Sequence, residues 1–507
     1  MTANPRPSDV ATIGEALARH AASRPNAPLL IAPETGRILT YGELERLTRK
    51  LAAFLGRRGL APGSTIALHL HNGYQTTALF LGLMAAGYVV APLNLLSQAR
   101  ELAWVLEHSE TRLVFACAEH AAVLEKAAAT LARAPERIVI DVDSTDIFAD
   151  VEPVASLPQP SPADISLLMY TSGTTGTPKG VLLSHANLLA SARSVAAWHG
   201  LTDRDRVLSS LPLYHINGQV IATLTPFLSG GSIVAPHRFS VHQWWDLVAR
   251  HECTWINMVP TIIAYLLAGT DARSFPSLRF GRSASAPLPP EQHRAFEERF
   301  GIPVIEAMGM TECASIVFCN PHDDRRRYGS PGLPCGVEAS VIDMGGRHLG
   351  TGEAGEIVLR GPNVMAGYFK APEKTAEAID AEGWLRTGDL GKRDEDGFYF
   401  ITGRLKELII KGGENIAPRD IDEALLRYPA ILEAAAFGVP HQAYGQDIAA
   451  AIVLRPDADL RQDILVAWCE EELGRFKTPT RFHVVKELPK GPSGKVQRLK
   501  LPDLFND

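Results

Sequence analysis

The chain has 507 residues, 46% of them hydrophobic and 21% charged; Lys+Arg number 50 against 57 Asp+Glu, a net charge of −7. Such a length allows roughly two to four domains. The composition excludes bulk disorder, and the mild acidity argues against a nucleic-acid coat or a polybasic membrane-surface protein. The six cysteines form no CxxC pair and are too sparse for a disulfide scaffold, so a reducing cytoplasm is the simplest compartment. The first ten residues, MTANPRPSDV, have no basic-then-apolar signal pattern.

In chain order, Thr40-Tyr41-Gly42-Glu43 is a capping box, and Leu44, Leu47, Leu51 and Phe54 continue it at helical spacing. Residues 65–70 suit a strand. Residues 72–99 carry no formal charge, but Gly87 and Pro92 interrupt the run well short of the ~20 apolar residues a spanning helix needs. A buried helix over 76–86 and a buried strand over 88–92 fit better than a membrane span. Strands are predicted at 112–116, 137–142 and 165–169, with a Pro-rich connector at 153–162. This alternation implies an α/β fold: a large N-terminal domain of layered, mostly parallel sheets. Near the end, 398–402 is strand-like, Pro418 opens a helix to 426, strands follow at 434–439 and 448–454, a helix at 463–473 and a strand at 481–485. The result is a small α+β domain of about 100 residues. The boundary is placed between a domain at 1–402 and a mobile one at 403–507, joined by a hinge.

The strongest local signal follows the strand at 165–169: Thr171, Ser172, Gly173, Thr174, Thr175, Gly176, Thr177, Pro178, Lys179, Gly180. Glycines let backbone approach an anion, successive NH groups cradle phosphate, and the hydroxyls and Lys179 add donors. It is not a Walker A loop, since Pro178 precedes the lysine and Gly180 follows it. Taken alone it is also compatible with a flexible surface loop. No HExxH or paired-Cys arrangement points to a transition metal.

The run TSGTTGTPKG resembles the signature of the adenylate-forming superfamily of acyl-CoA synthetases, peptide-synthetase adenylation domains and firefly-type luciferases. Further segments resemble that family's motifs in order: Leu211-Pro212-Leu213-Tyr214-His215, Met308-Gly309-Met310-Thr311-Glu312, Leu385-Arg386-Thr387-Gly388-Asp389, Gly403-Arg404-Leu405-Lys406-Glu407, Gly412-Gly413-Glu414-Asn415 and residues 489–498, PKGPSGKVQR. With 403–407 and 412–415 taken together as one hinge segment, six motifs in register cover nearly the whole chain. The resemblance implies an ATP-dependent carboxylate–CoA ligase that forms an acyl-adenylate and then an acyl-CoA. ATP, Mg²⁺ and coenzyme A are the implied cosubstrates. No nucleic-acid partner or membrane span is expected; monomer and homodimer both stay open.

The same resemblance implies the site. The loop at 171–180 would hold the β- and γ-phosphates, Glu312 would ligate Mg²⁺, and Thr311 would contact the α-phosphate. Ala284, Ser285, Ala286, Met308, Gly309 and Met310 would line the nucleotide. Asp389 and Arg404 would bind the ribose hydroxyls, and Lys495 would bridge carboxylate and α-phosphate. Lys406 stands at the hinge position, and Gly412-Gly413 would let a pantetheine arm pass close to backbone. Taken singly, Asp389 is an ordinary turn residue, Arg404 and Lys406 are surface charges, His215 is a structural histidine, and Lys495 is a tail lysine.

For the acid, Arg282, His215 and Asn217 suggest a short polar substrate bearing a second anion, since a guanidinium fork suits carboxylate or sulfonate. The alternative has Arg282 pointing outward or paired with an acidic neighbour. Residues 282–286, 306–312 and 411–418 look closest to oxalate-type CoA ligases. Gly309 and Cys313 stand where alanines are expected there, and Asn415 where lysine is; malonate or sulfoacetate suits the same pocket chemistry. Fatty or aromatic acids, and transfer to a carrier protein, are the other options.

Overall fold

The computed structural model describes residues 10–171, 178–271, 273–456, 458–490 and 496–505. The chain divides into two compact units, Met1–Glu338 with Leu359–Leu385, and Ala339–Val358 with Arg386–Asp507.

The first unit holds two large sheets. The nine-stranded one runs Leu333–Pro334, Ser315–Cys319, Val304–Met310, Phe280–Ser283, Trp255–Met258, Arg206–Leu208, Ser232–Val234, Pro28–Ala32 and Arg37–Thr40. Its centre, from Val304–Met310 to Pro28–Ala32, is parallel, and both edges close with antiparallel pairs. The seven-stranded sheet runs Gly367–Tyr368, Lys179–Ser184, Ile165–Thr171, Val89–Pro92, Thr65–His69, Leu113–Ala116 and Glu136–Val139.

Local rules explain much of this. Thr40 caps the helix Tyr41–Gly56 through the predicted reciprocal box with Glu43. The uncharged run forms the helix Tyr74–Ala85 and the strand Val89–Pro92, and every residue of that helix is buried. Water touches no side of it, which is why its sequence lacks a polar stripe. No helix among the described residues is long and apolar enough to cross a membrane. Beside the nine-stranded sheet, Trp244, Trp245, Phe275, Phe296 and Phe300 form an aromatic core, with Trp245 stacked on Phe275 at 4.5 Å.

The second unit carries a four-stranded sheet, Glu338–Ile342, Gly355–Arg360, Leu385–Arg393 and Tyr399–Arg404, and a five-stranded one built on the long antiparallel pair Ile431–His441 and Gly445–Leu454. The helices Pro418–Leu426 and Gln462–Leu473 bury Ile421, Leu425, Leu465 and Cys469 against the latter. The predicted elements in this region are all present.

Burial leaves His20, His69 and His185 with pKa values lowered to about 4. The unfolded chain binds their protons below about pH 6.5, whereas the folded chain does so only near 4. Stability is therefore complete above that window and lost as pH falls through it, by about 1.4 kcal/mol per histidine per pH unit. His69 has no hydrogen-bond partner on either ring nitrogen among the described residues. His69→Phe should match the native melting temperature near pH 7 and show a shallower decline toward pH 5. An unchanged slope in pH-dependent melting curves would count against this assignment.

Candidate active site

The strands that flank the glycine-rich segment are paired with each other. Strands Ile165–Thr171 and Lys179–Ser184 pair antiparallel, with Thr171 opposite Lys179 at its base. Ser172, Gly173, Thr174, Thr175, Gly176 and Thr177 lie outside the described residues. Tyr368, which sequence reasoning missed, sits beside this base. The Lys179 Nζ stands 4.7 Å from the centroid of its ring, and its hydroxyl donates to Glu312 Oε1 at 3.1 Å. Burial and the Glu312 carboxylate push the Tyr368 phenol far above its usual value, so it stays a donor. Lysine, tyrosine and glutamate thus come together from three separate stretches of sequence.

Glu312 lies in a single 3₁₀ turn, Thr311–Cys313, between the antiparallel strands Val304–Met310 and Ser315–Cys319. The register slips between Met308 and Gly309, and Ala314 and Ser315 take positive φ values of 49° and 99°. This bulged turn drives the Ser315 carbonyl onto Gly309, where an added Cβ would lie 1.8 Å from that oxygen. Glycine in place of the expected alanine is therefore a steric requirement here. Buried Asn363 clamps the turn from below, donating to the carbonyls of Cys313 and Ile316 at 3.0 Å each. Glu312 is half-buried, and its Oε2 has no hydrogen bond among the described residues. A half-buried carboxylate with one open hard oxygen fits Mg²⁺, which needs few protein ligands.

The second cluster lies on the nine-stranded sheet. Arg282, in strand Phe280–Ser283, is 1% exposed. Its guanidinium donates to Asn217 Oδ1 at 3.3 Å and Asn257 Oδ1 at 3.4 Å, Asn257 Nδ2 donates to Asn217 Oδ1 at 3.1 Å, and Asn217 Nδ2 donates to Ser285 Oγ at 3.2 Å. Three predicted residues, Arg282, Asn217 and Ser285, therefore form one hydrogen-bonded chain. Ala284 and Ala286 flank Ser285, whose φ of 76° is a strained value for a non-glycine residue. Asn217 opens a π-helix, Asn217–Leu224, an irregular element that local sequence did not announce; half-buried His215 precedes it by two residues.

Arg282 neither points outward nor pairs with a carboxylate among the described residues, and its Nε has no partner. Burial opposes its charge. The titratable groups that sense it are neutral: burial pushes the Cys319 thiol far up and that of Cys335 to about 12, while burial and the guanidinium hold His199 far below the ordinary histidine range. Among the described residues, no carboxylate is hydrogen-bonded to this positive charge.

In the second unit, Asp389 and Arg404 face one another on antiparallel strands, with Arg404 Nε 2.8 Å from Asp389 Oδ1. Lys406 is exposed in the 3₁₀ turn Leu405–Glu407. Gly412 and Gly413, with φ of 58° and 87°, form a two-residue hairpin turn that favours glycine. Tyr444 and Phe476, 47% and 44% exposed, flank this turn, and buried Lys411 beneath them pairs with Asp447 at 2.7 Å. Neither aromatic carried a sequence signal. Lys495 lies outside the described residues.

Two family models match in succession, "AMP-binding enzyme" over residues 17–369 and "AMP-binding enzyme C-terminal domain" over 420–495. The chain belongs to the adenylate-forming AMP-binding enzymes. It is an AMP-forming acid–CoA ligase with ATP and CoA as substrates. The sulfoacetate–CoA ligase of Cupriavidus necator is 52% identical over 99% of both chains, and the oxalate–CoA ligase of Arabidopsis thaliana 35% identical over 91% of this chain and 92% of that one. Among solved structures, ATP-bound MatB from Rhodopseudomonas palustris superimposes with a TM-score of 0.91 at 31% identity, covering 97% of this chain and 99% of that one.

Gly309→Ala tests the turn. Its Cβ must displace the Ser315 backbone, so overpacking should cost about 1–3 kcal/mol. A shift of about 1 Å at Thr311–Glu312 should lower acid-dependent pyrophosphate exchange on the order of 100-fold. Native exchange together with native urea unfolding would refute the steric argument.

Proposed function

We propose that the chain activates a short acid carrying a second anionic group, of the sulfoacetate, malonate or oxalate type, and passes its acyl group to CoA. The observation that carries this reading is the buried guanidinium of Arg282, hydrogen-bonded to Asn217 and paired with no carboxylate among the described residues. The likeness to sulfoacetate– and oxalate–CoA ligases supports it. Burying an arginine without a counterion is unfavourable, and a distal sulfonate or carboxylate supplies that counterion. An alkyl tail cannot, so a fatty acid leaves the charge stranded.

In the first half-reaction a carboxylate oxygen of the acid attacks the α-phosphorus of ATP. The bond to the β-phosphate oxygen breaks, giving acyl-adenylate and pyrophosphate. Incoming and resident anions repel, so cations and backbone donors must offset the growing charge. Thr171, Lys179 and the loop between them are assigned to the β- and γ-phosphates, Thr311 to the α-phosphate, and Lys495 to the oxygens of the reacting carboxylate and α-phosphate. Tyr368 orients the Glu312 carboxylate, and Glu312 would hold Mg²⁺. Bound there, the ion would neutralise phosphate charge. Residues 284–286 and 308–310 are assigned to the nucleotide, and Asp389 and Arg404 to its ribose hydroxyls.

In the second half-reaction the CoA sulfur attacks the acyl carbonyl and AMP leaves. A domain at 403–507, turning about Lys406, withdraws Lys495 and brings Gly412-Gly413 to the reacting carbonyl. Tyr444 and Phe476 offer apolar walls to the pantetheine arm. The cytoplasm is the assigned compartment; all six cysteines are free thiols, as a reducing environment keeps them.

The test is kcat/KM for sulfoacetate, malonate, oxalate, propionate and octanoate at saturating ATP and CoA, on native protein and Arg282→Leu. The native protein should prefer the doubly anionic acids. The variant should lose a charge-assisted pair worth about 1.5–3 kcal/mol for them and gain on propionate. A native preference for octanoate, or an equal loss across all acids in the variant, would refute the assignment.

A further inference from the structure

The second unit contains a buried ionic cluster that the assigned chemistry does not use. Arg498 Nε lies 3.2 Å from Glu407 Oε2, and Arg498 Nη2 lies 2.5 Å from Asp422 Oδ2. The same guanidinium donates to the Ala436 carbonyl, and Asp422 Oδ1 accepts from the Ala436 NH at 2.6 Å. The side chains of Arg498, Asp422 and Glu407 are only 14%, 13% and 23% exposed. One guanidinium therefore ties together the turn Leu405–Glu407, the helix Pro418–Leu426 and the strand Ile431–His441.

The sequence position of this cluster gives it a use. Glu407 directly follows Lys406, and Arg498 lies three residues after Lys495. Just before Arg498, Val496 forms an antiparallel bridge with Lys490, and the Gln497 NH donates to the Pro489 carbonyl at 2.7 Å. Both flanks of the lysine segment are thus held together, and the C-terminal flank is bolted through Arg498 to the residue after the hinge. Three residues span at most about 10–11 Å, so fixing Arg498 bounds where Lys495 can go. A buried ion pair is a weak source of net stability, but one that breaks when either partner is removed. It suits a part whose purpose is position.

We propose that Arg498, held in place by Glu407 and Asp422, is a positioning residue for Lys495. This inference rests on the role given to Lys495 above. Loosening the cluster should harm the half-reaction that uses the lysine and spare the one that does not. Placement errors of about 1 Å cost on the order of 100-fold in rate.

The experiment compares Glu407→Ala, Glu407→Gln, Arg498→Lys and Lys495→Ala in the full chain. Three quantities are read: sulfoacetate-dependent ATP–pyrophosphate exchange, with malonate and oxalate in parallel; sulfoacetyl-CoA formation from supplied sulfoacetyl-adenylate; and the thermal midpoint. Glu407→Ala and Arg498→Lys should lower kcat for exchange 10- to 100-fold with little change in KM for ATP, while thioester formation stays within twofold of native. Glu407→Gln, which still accepts from Arg498, should recover much of the exchange. Should Arg498→Lys fail to fold, the two Glu407 variants carry the test. Equal losses in both half-reactions, or native exchange in Glu407→Ala while Lys495→Ala loses it, would overturn the positioning role. Native exchange in Lys495→Ala would instead overturn the assignment of the lysine, and the inference with it.

Discussion

A buried guanidinium with no carboxylate partner among the described residues is the constraint on which the proposed acid pocket depends. Arg282 is almost wholly removed from water, and its hydrogen bonds go to the neutral amides of Asn217 and Asn257. Nearby thiols and an imidazole that could have carried charge are held neutral by their own burial. Natural proteins rarely leave a buried ion in this condition, because one paired carboxylate would remove most of the penalty. In the proposed reading, a ligand that brings an anion completes the site, and the energetic liability of the free protein acts as a filter on substrates.

The turn residues proposed to face the nucleotide follow a different rule, that of steric over-determination. The turn bearing Thr311 and Glu312 is a bulge between two antiparallel strands, with two non-glycine residues in the left-handed region and a carbonyl occupying the space of a missing side chain. Asn363 satisfies two carbonyls that such a turn leaves exposed inside the protein. Strain of this kind persists only where the surroundings leave no alternative, and the Glu312 carboxylate is carried on that constrained turn. Tyr368 then sets its orientation, with a hydroxyl that burial prevents from ionising.

Much of this was legible in the sequence because it is local. The capping box of Thr40 and Glu43, the uncharged central helix, the strand before the glycine-rich loop and the Pro418 helix are set by residues within a few positions of one another. The order of six motifs was enough to place the family. What could not be read depends on contacts between distant segments. Tyr368 reaches Glu312 across 56 positions, and Asn217 meets Arg282 across 65. The reason for glycine at 309 is a carbonyl six residues later folded back by a bulge. The guanidinium of Arg498 looks in sequence like one more charge near the C-terminus, and only the fold encloses it with Asp422 and Glu407. Arg282 stands out in the sequence as an anion-binding candidate; that no carboxylate pairs with it among the described residues is a property of its surroundings.

The most direct measurement is calorimetric titration with two non-hydrolysable acyl-adenylate mimics, sulfamoyl adenosines carrying a sulfoacetyl or an acetyl group. They share every nucleotide contact and differ only in the distal anion. If the guanidinium of Arg282 awaits that anion, the sulfoacetyl compound should bind the native protein roughly 10- to 100-fold more tightly, in line with a charged hydrogen bond of about 1.5–3 kcal/mol. The gap should close in Arg282→Leu. Equal affinities in the native protein, or a gap that survives the substitution, would contradict the account.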